Sequence, residues 1–576
     1  MYDLIIRNAN LADGMGNPLV KTDVAIEDGR IVKIGNIAGS SKNEVDAMGL
    51  VLAPGIIDVH THYDAQLTWD STASPSPALG VTTVVIGNCG FGIAPATPDT
   101  RDLILANLSE VEAMSLDSLK AGVDWDFESF PEFLTMLRRK GAYPNVACFA
   151  SHSAMRTVVM KEAGSQRAAT PAELEKMTTM FREAMQAGAM GLGSSTFENH
   201  NGHGGIPVPS RLADDDEFRA FAKVMSEFNH GLTVITCGDR TSIEFLEELS
   251  NISHRPAVFA PLLHYSNQPD RAKNLMHRCQ AARSRGALVY AQASCQPLSM
   301  DFTLEKAYPL MTVQPWSELK HGDHEAMMAS FSDPEFARRM RDALSNPDGG
   351  RIFNGNWERV EVTMTTLDKN QSLVGKNIAA IAKARDADPV DVFLGLGVEE
   401  NLQTTFTAKL LNVEEERVWE LLQDPGNMVS LSDGGAHLTF FCDAGFGMYF
   451  LGHWVRELGK LDLASAIKKL TSDVADIYGL IDRGRLVEGA YADMILFDPE
   501  QIGISNTQRL NDLPSGATRL VRSAPGLHTV WVNGVSVYHD GDYTTVTPPG
   551  QVLTEFSAIR PHVAMDRRQQ LRVKTH

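Results

Sequence analysis

Eight short apolar runs, separated for the most part by helical stretches, constrain this chain more than any other feature. They fall at 52–62, 82–89, 145–152, 188–195, 232–237, 257–264, 288–294 and 428–433. Near-continuous apolar strands are buried on both faces, the pattern of parallel sheets covered by helices. The intervening segments carry helix signals: Thr170 and Pro171 open the run 171–188, and another run spans 214–229. Eight strands with helical crossovers suit a closed barrel better than an open sheet, so the expected fold is α/β, a (β/α)₈ TIM-like barrel.

The rest of the chain hangs on that frame. Short strands are expected before residue 52, at Leu4-Ile5-Ile6, Val24-Ala25-Ile26 and 30–34. More follow the barrel, at 493–497, 528–532 and 535–538. Neither set buries a sheet face alone, so the two ends are expected to join as one small β-sandwich, 1–52 plus 485–545. The barrel then occupies 53–484 and a C-terminal tail 546–576. The stretch from about 295 to 427 is too long for a crossover and carries helical patterns at 333–344, 389–396 and 414–423. It is expected to be a helical insertion overhanging the barrel mouth.

Composition excludes several function classes. Over 576 residues the formal net charge is −20, which opposes nucleic acid and anionic membrane as partners but leaves room for a small substrate in a locally different pocket. Six scattered cysteines show no disulfide framework, the first residues lack a signal-peptide pattern, and no stretch is long enough to span a membrane. A cytoplasmic protein is expected, acting on a small molecule as a homo-oligomer.

The chemistry gathers at strand ends. In the run 51–62 an apolar strand leads into His60-Thr61-His62. Side chains at i and i+2 share a face, so both imidazoles aim the same way, and imidazole is the commonest zinc ligand. An isolated His-x-His is equally well explained by two hydrogen-bonded histidines; a metal needs partners. Cys89, between Asn88 and Gly90, ends the second run, and its thiolate is a strong soft ligand. Asp433 ends the eighth, where a carboxylate can hold metal and exchange a proton with water. His264 ends the sixth run and is a candidate metal ligand. His437 is a candidate partner of a ligand, substrate contact or helix-start histidine.

These residues together resemble the amidohydrolase superfamily, in particular its D-aminoacylase branch of N-acyl-D-amino-acid deacylases. Pro54-Gly55-Ile56-Ile57-Asp58-Val59-His60-Thr61-His62 is similar to the family's first-strand motif, and Gly87-Asn88-Cys89-Gly90, with Cys89 27 residues after His62, is similar to the branch signature. The stretches 470–489 and 492–498 add to the likeness, which spans nearly the whole chain. It implies a cysteine in the metal-bridging place that many relatives give to a carboxylated lysine; the fourth run, 188–195, carries no lysine. It also implies a ligand histidine on the fifth strand and another on the sixth. The sixth has His264, but the fifth ends in Cys237; Cys237, His200 and His203 are the candidates to replace the missing imidazole, and His200 is also a candidate substrate contact. The basic residues expected after His264 and after Asp433 are absent, which leaves the substrate open.

The expected function is that of a metal-dependent amidohydrolase. Zn²⁺ or a similar divalent metal, as one or two ions, would be held by His60, His62, Cys89, Asp433 and His264. Water acidified by the metal would attack an amide carbonyl, such as that of an N-acyl amino acid, polarised also by His152 at the end of the third run. Asp433 would take the water proton and pass it to the leaving nitrogen. A cyclic imide, ureide or lactone hydrolase on the same scaffold, or a metal-free binding subunit, are the alternatives.

Overall fold

The computed structural model describes residues 1–319, 323–346, 351–437 and 443–558. Its centre is two parallel sheets. One has six strands, in the order Asn427–Val429, Val289–Ala293, Ala257–Leu262, Leu232–Thr236, Gly191–Ser195 and Ala150–Ser151; the other has three, Ile56–Asp58, Val81–Ile86 and Asn145–Cys148. Each of the eight expected runs overlaps one of these strands, with the third run split at Phe149 into two. The strands are buried on both faces, every residue of Val81–Ile86 and of Leu232–Thr236 included, which is why their sequences are apolar rather than alternating. The crossover helix Pro171–Ala187 starts with the predicted Thr170 cap, closed into a capping box by Glu173, and stops at Gly188 in the left-handed region.

The two sheets approach each other at both margins. On one side only Phe149 separates Asn145–Cys148 from Ala150–Ser151. On the other, Asp433 N–H donates to the His60 carbonyl at 3.1 Å and His62 N–H donates to the Gly434 carbonyl at 2.7 Å. Thr61 and Gly434 form a parallel bridge there, and Ser430 Oγ accepts from Val59 N–H and donates to the Ile57 carbonyl. Side chains from both sheets share one core, among them Ile57, Val85, Phe149, Val234, Val258 and Met428.

The strands are shorter than the apolar runs, and the difference places the chemistry. The strands end at Asp58, Ile86 and Val429, ahead of His60, Cys89 and Asp433. Cys89 and Asp433 then take positive φ values of 54° and 50°, so both side chains leave the strand direction at the sheets' C-terminal ends.

Both chain ends build one nine-stranded sheet. Val51–Pro54 is its junction, parallel to Tyr2–Leu11 on one side and antiparallel to Met494–Phe497 on the other. One core draws on both ends, with Ile6, Val24 and Ile31 against Met494, Leu496 and Trp531. Residues beyond 546 are not a loose tail as far as they are described. Val146 N–H donates to the Gln551 carbonyl and Leu553 N–H to the Val146 carbonyl. Residues 559–576 of the expected tail lie outside the described residues.

The insertion is not the purely helical segment expected, because it holds a sheet of its own. Leu298–Phe302, Thr405–Leu411 and Val360–Met364 form a three-stranded antiparallel sheet. In Thr405–Leu411, Phe406, Ala408 and Leu410 are buried while Thr407 is half-buried and Lys409 exposed, the period-2 pattern of a sheet with one covered face. Helices including Pro334–Leu344 and Pro389–Glu399 cover that face and give the insertion its own core around Trp316, Phe393 and Phe406. Among the described residues, no helix is long and apolar enough to cross a membrane.

Candidate metal centre

His60 and His62 follow the first parallel strand and are almost fully buried. His60 Nδ1 is 2.6 Å from Gln292 Oε1, while the Gln292 amide nitrogen lies 2.8 Å from Tyr478 OH and 3.4 Å from the Val59 carbonyl. The amide nitrogen is thus used as a donor, its oxygen must accept, and His60 therefore carries a hydrogen on Nδ1 and turns Nε2 into the site. His62 Nδ1 lies 3.3 Å from Glu112 Oε1. Cys89 Sγ is 3.4 Å from His60 Nε2 and 3.0 Å from Thr236 Oγ1. Donor atoms of His60, His62 and Cys89 lie within 4.8 Å of one another. Asp433 Oδ1 closes the set, 3.3 Å from His60 Nε2 and 3.5 Å from His62 Nε2.

The electrostatics show how strongly these groups interact. Burial would depress the His60 imidazole, but the Cys89 thiolate and the Asp433 carboxylate outweigh it and push it up to about 9. Burial is again opposed at His62, where Glu112, Asp433 and Cys89 raise the imidazole well above its ordinary value. Burial would raise the Cys89 thiol, yet the two histidines hold it below the usual value. Asp433 is likewise held below the ordinary carboxylate range, against burial, by the His62 hydrogen bond and by His60, His62 and His437. Two imidazole nitrogens, a thiolate and a carboxylate, converging without an ammonium or guanidinium among them, are the donor set of a zinc-class ion.

The cluster opens on a cavity of about 460 Å³ lined also by Glu112, His200 and His437. Its other walls are mixed: Phe259 and Leu263 from the sixth strand region and Leu298, Met300 and Leu411 from the insertion are apolar, while Arg271 and Arg351 are offset by Glu198 and by Asp239, which pairs with Arg271. The insertion therefore does overhang the site. His200 Nδ1 is 2.7 Å from Ser195 Oγ. Burial, with His437 and His62 nearby, pushes its imidazole down to about 3, so it faces the cavity neutral.

Three expected site residues are elsewhere. His264 is buried with its Nε2 2.8 Å from Glu414 Oε2. It belongs neither to the donor cluster nor to the cavity wall, because Glu414, just after the insertion's last strand, engages the nitrogen a metal would use. His152 is not at the mouth: the third strand ends at Ser151 and His152 opens the helix His152–Met160. Its Nδ1 meets Ser194 Oγ at 2.8 Å and its Nε2 meets Glu217 Oε1 at 2.7 Å. With both nitrogens engaged and no exposed surface, it has no path to a substrate carbonyl. His203 is exposed and off the cavity wall. Cys237 does line the cavity, but its Sγ sits 3.2 Å from the Ile235 carbonyl and burial raises the thiol far above its ordinary value.

Two residues of the centre were not foreseen. Gln292 lies within the predicted seventh strand but reads as a polar interruption of it. Glu112 follows the helix Arg101–Val111, where an anion meets the negative end of the helix dipole; a carboxylate placed against that field is the one local sign that it serves something outside the helix.

Residues 43–538 match the Amidohydrolase family, and the chain belongs to it. Within that class its similar proteins include deacylases. A D-aminoacylase of Alcaligenes xylosoxydans xylosoxydans is 28% identical, covering 94% of this chain and 96% of its own length. An N-acyl-D-aspartate deacylase of the same organism is 29% identical over 97% of this chain and 96% of its own length. Among solved structures, a D-aminoacylase crystal structure aligns with a TM-score of 0.66 at 23% identity, over 96% of this chain and all of that one. The N-acyl-D-glutamate deacylase of Bordetella bronchiseptica, solved with zinc and a phosphonate mimic of the tetrahedral intermediate, aligns with a TM-score of 0.65 at 24% identity and the same coverage.

Proposed function

We propose that this protein is a zinc-dependent amidohydrolase that cleaves the amide bond of an N-acyl amino acid. The observation that carries the reading is the convergence of His60, His62, Cys89 and Asp433 at the floor of a cavity wide enough for a small molecule. The full-length likeness to D-aminoacylase and N-acyl-D-aspartate deacylase supports the bond type. On this reading the two parallel sheets are the walls of one (β/α)₈ barrel, closed by the hydrogen bonds between 57–62 and 430–434. The terminal sheet curls over its shared core as a small sandwich formed by 1–52 and 485–545, and the barrel spans 53–484. The protein works in the cytoplasm as a homo-oligomer.

The residues divide the work as follows. His60, His62 and Cys89 hold the metal, with Asp433 as the fourth donor. When bound, such an ion supplies Lewis acidity to the scissile carbonyl and lowers the pKa of water beside it. Asp433, ionised in its cationic surroundings, accepts the proton of the attacking water and delivers it to the departing nitrogen. His200 and His437 line the cavity beside the cluster and bind the substrate. The apolar part of the wall excludes bulk water and strengthens each of these charges.

Metal analysis of the purified protein, repeated on His60→Ala and Cys89→Ala, tests the reading together with hydrolysis of N-acyl-D-amino acids. Zinc-class metal in the wild type, its loss in both variants and metal-dependent release of free amino acid are expected. A wild type that takes up no metal, or hydrolysis that survives its removal, overturns the assignment.

A further inference from the structure

We propose that Glu112 is a positioning residue that braces the metal centre through His62 and His437, an inference that rests on the hydrolase reading above. Its side chain is 1% exposed, and it stands at the C-terminal end of Arg101–Val111, where the helix dipole disfavours a carboxylate. Burying an anion there is costly unless something pairs with it. Two imidazoles lie at ion-pair distance: Oε1 is 3.3 Å from His62 Nδ1, and Oε2, which makes no hydrogen bond, is 3.3 Å from His437 Nε2.

A carboxylate only accepts hydrogen bonds, so Glu112 keeps a hydrogen on His62 Nδ1 and leaves Nε2, which faces Asp433, as the nitrogen that would meet a metal. Gln292 does the same for His60. The two histidines of one motif are thus oriented by different acceptors, an amide for His60 and a carboxylate for His62, and the carboxylate makes its imidazole the more basic ligand.

Glu112 also reaches the other half of the site. Its backbone carbonyl accepts from His437 N–H at 2.7 Å, and His437, at φ 52°, closes the turn that Asp433 opens at φ 50°. One residue from the second crossover therefore fixes a ligand after the first strand and the turn after the eighth.

The test is zinc affinity, measured by competition with a chromophoric chelator on wild type and Glu112→Gln, with the melting temperature of the zinc-free proteins as the folding check. Glutamine keeps the shape but loses the charge that faces both imidazoles, and its NH₂ opposes the N–H of one of them. A fall in zinc affinity of about 10–100-fold is expected with the fold intact. In zinc-loaded wild type, nitrogen NMR of the imidazoles should show His62 protonated on Nδ1, a readout that does not depend on the variant folding. Affinity within about twofold of wild type in Glu112→Gln, or His62 bound through Nδ1, overturns the brace while leaving the hydrolase reading in place. A wild type that binds no zinc removes both.

Discussion

Two buried clusters lie beyond the strand ends of this protein, each setting histidine against a carboxylate but to opposite ends. In one, His60 and His62 face Asp433 and Cys89 at distances of 3.3–3.5 Å and open on the cavity. In the other, His152 is saturated by Ser194 and Glu217, and Arg156 donates to the second Glu217 oxygen. Burial depresses the His152 imidazole despite Glu217, so it stays neutral and donates from Nε2. In the first cluster two imidazoles, a thiol and a carboxylate all turn on one point. The second has each donor matched to an acceptor. A histidine beside a carboxylate is therefore not a sign of catalysis; what distinguishes the working site is donor atoms that converge on one point and a cavity that reaches them.

The contrast breaks most sharply at the two carboxylates. Asp433→Ala should reduce kcat by about 10²–10⁴-fold, the range for losing an acid–base group, with the melting temperature nearly unchanged. Steady-state kinetics on zinc-loaded protein measure it, and a variant with wild-type kcat removes Asp433 from the mechanism. Glu217→Ala should do the reverse: it strands the buried Arg156 guanidinium and costs about 3–5 kcal/mol of stability, read by denaturant unfolding, while the folded fraction keeps its specific activity. A loss of activity per folded molecule would return His152 to the active site.

Acid should sharpen the same distinction. Although burial opposes it, His152 and Arg156 hold the Glu217 carboxyl below its ordinary value. A group with a depressed folded-state pKa stabilises fully above its unfolded value, about 4.3, and that stability disappears as pH falls through the folded value. Melting temperatures below pH 5 should therefore drop more steeply in wild type than in Glu217→Gln, and parallel curves would count against a paired carboxylate. The smallest effect is expected at His203, exposed and away from the cavity: His203→Ala should leave both zinc content and kcat/KM within about twofold of wild type. A larger change would mean that its loop closes on the substrate.

Much of the site was legible because its signals are local. His60 and His62 are two residues apart, so strand geometry alone turns them to one side, and Cys89 and Asp433 end apolar runs whose direction is set by the parallel topology. The crossover helix Pro171–Ala187 was legible for a similar reason, since its cap and its stop lie within its own sequence. The antiparallel sheet of the insertion was readable in principle from the alternation in Thr405–Leu411, but neighbouring helical patterns mask so short a period.

The misplaced residues share a different origin. His264 and His152 end the same kind of run as His62, Cys89 and Asp433, and nothing beside them in the chain announces Glu414 or Glu217, 150 and 65 residues away by number. Gln292 is 232 residues from the histidine it orients. By itself the sequence determined the order of strands and helices and the chemical types presented at the strand ends, because these depend on periodicity and on neighbours a few residues apart. Only the tertiary structure decided which histidines reach the cavity and which are satisfied in the core, because a side chain's role follows from the donors and acceptors that a distant segment brings against it.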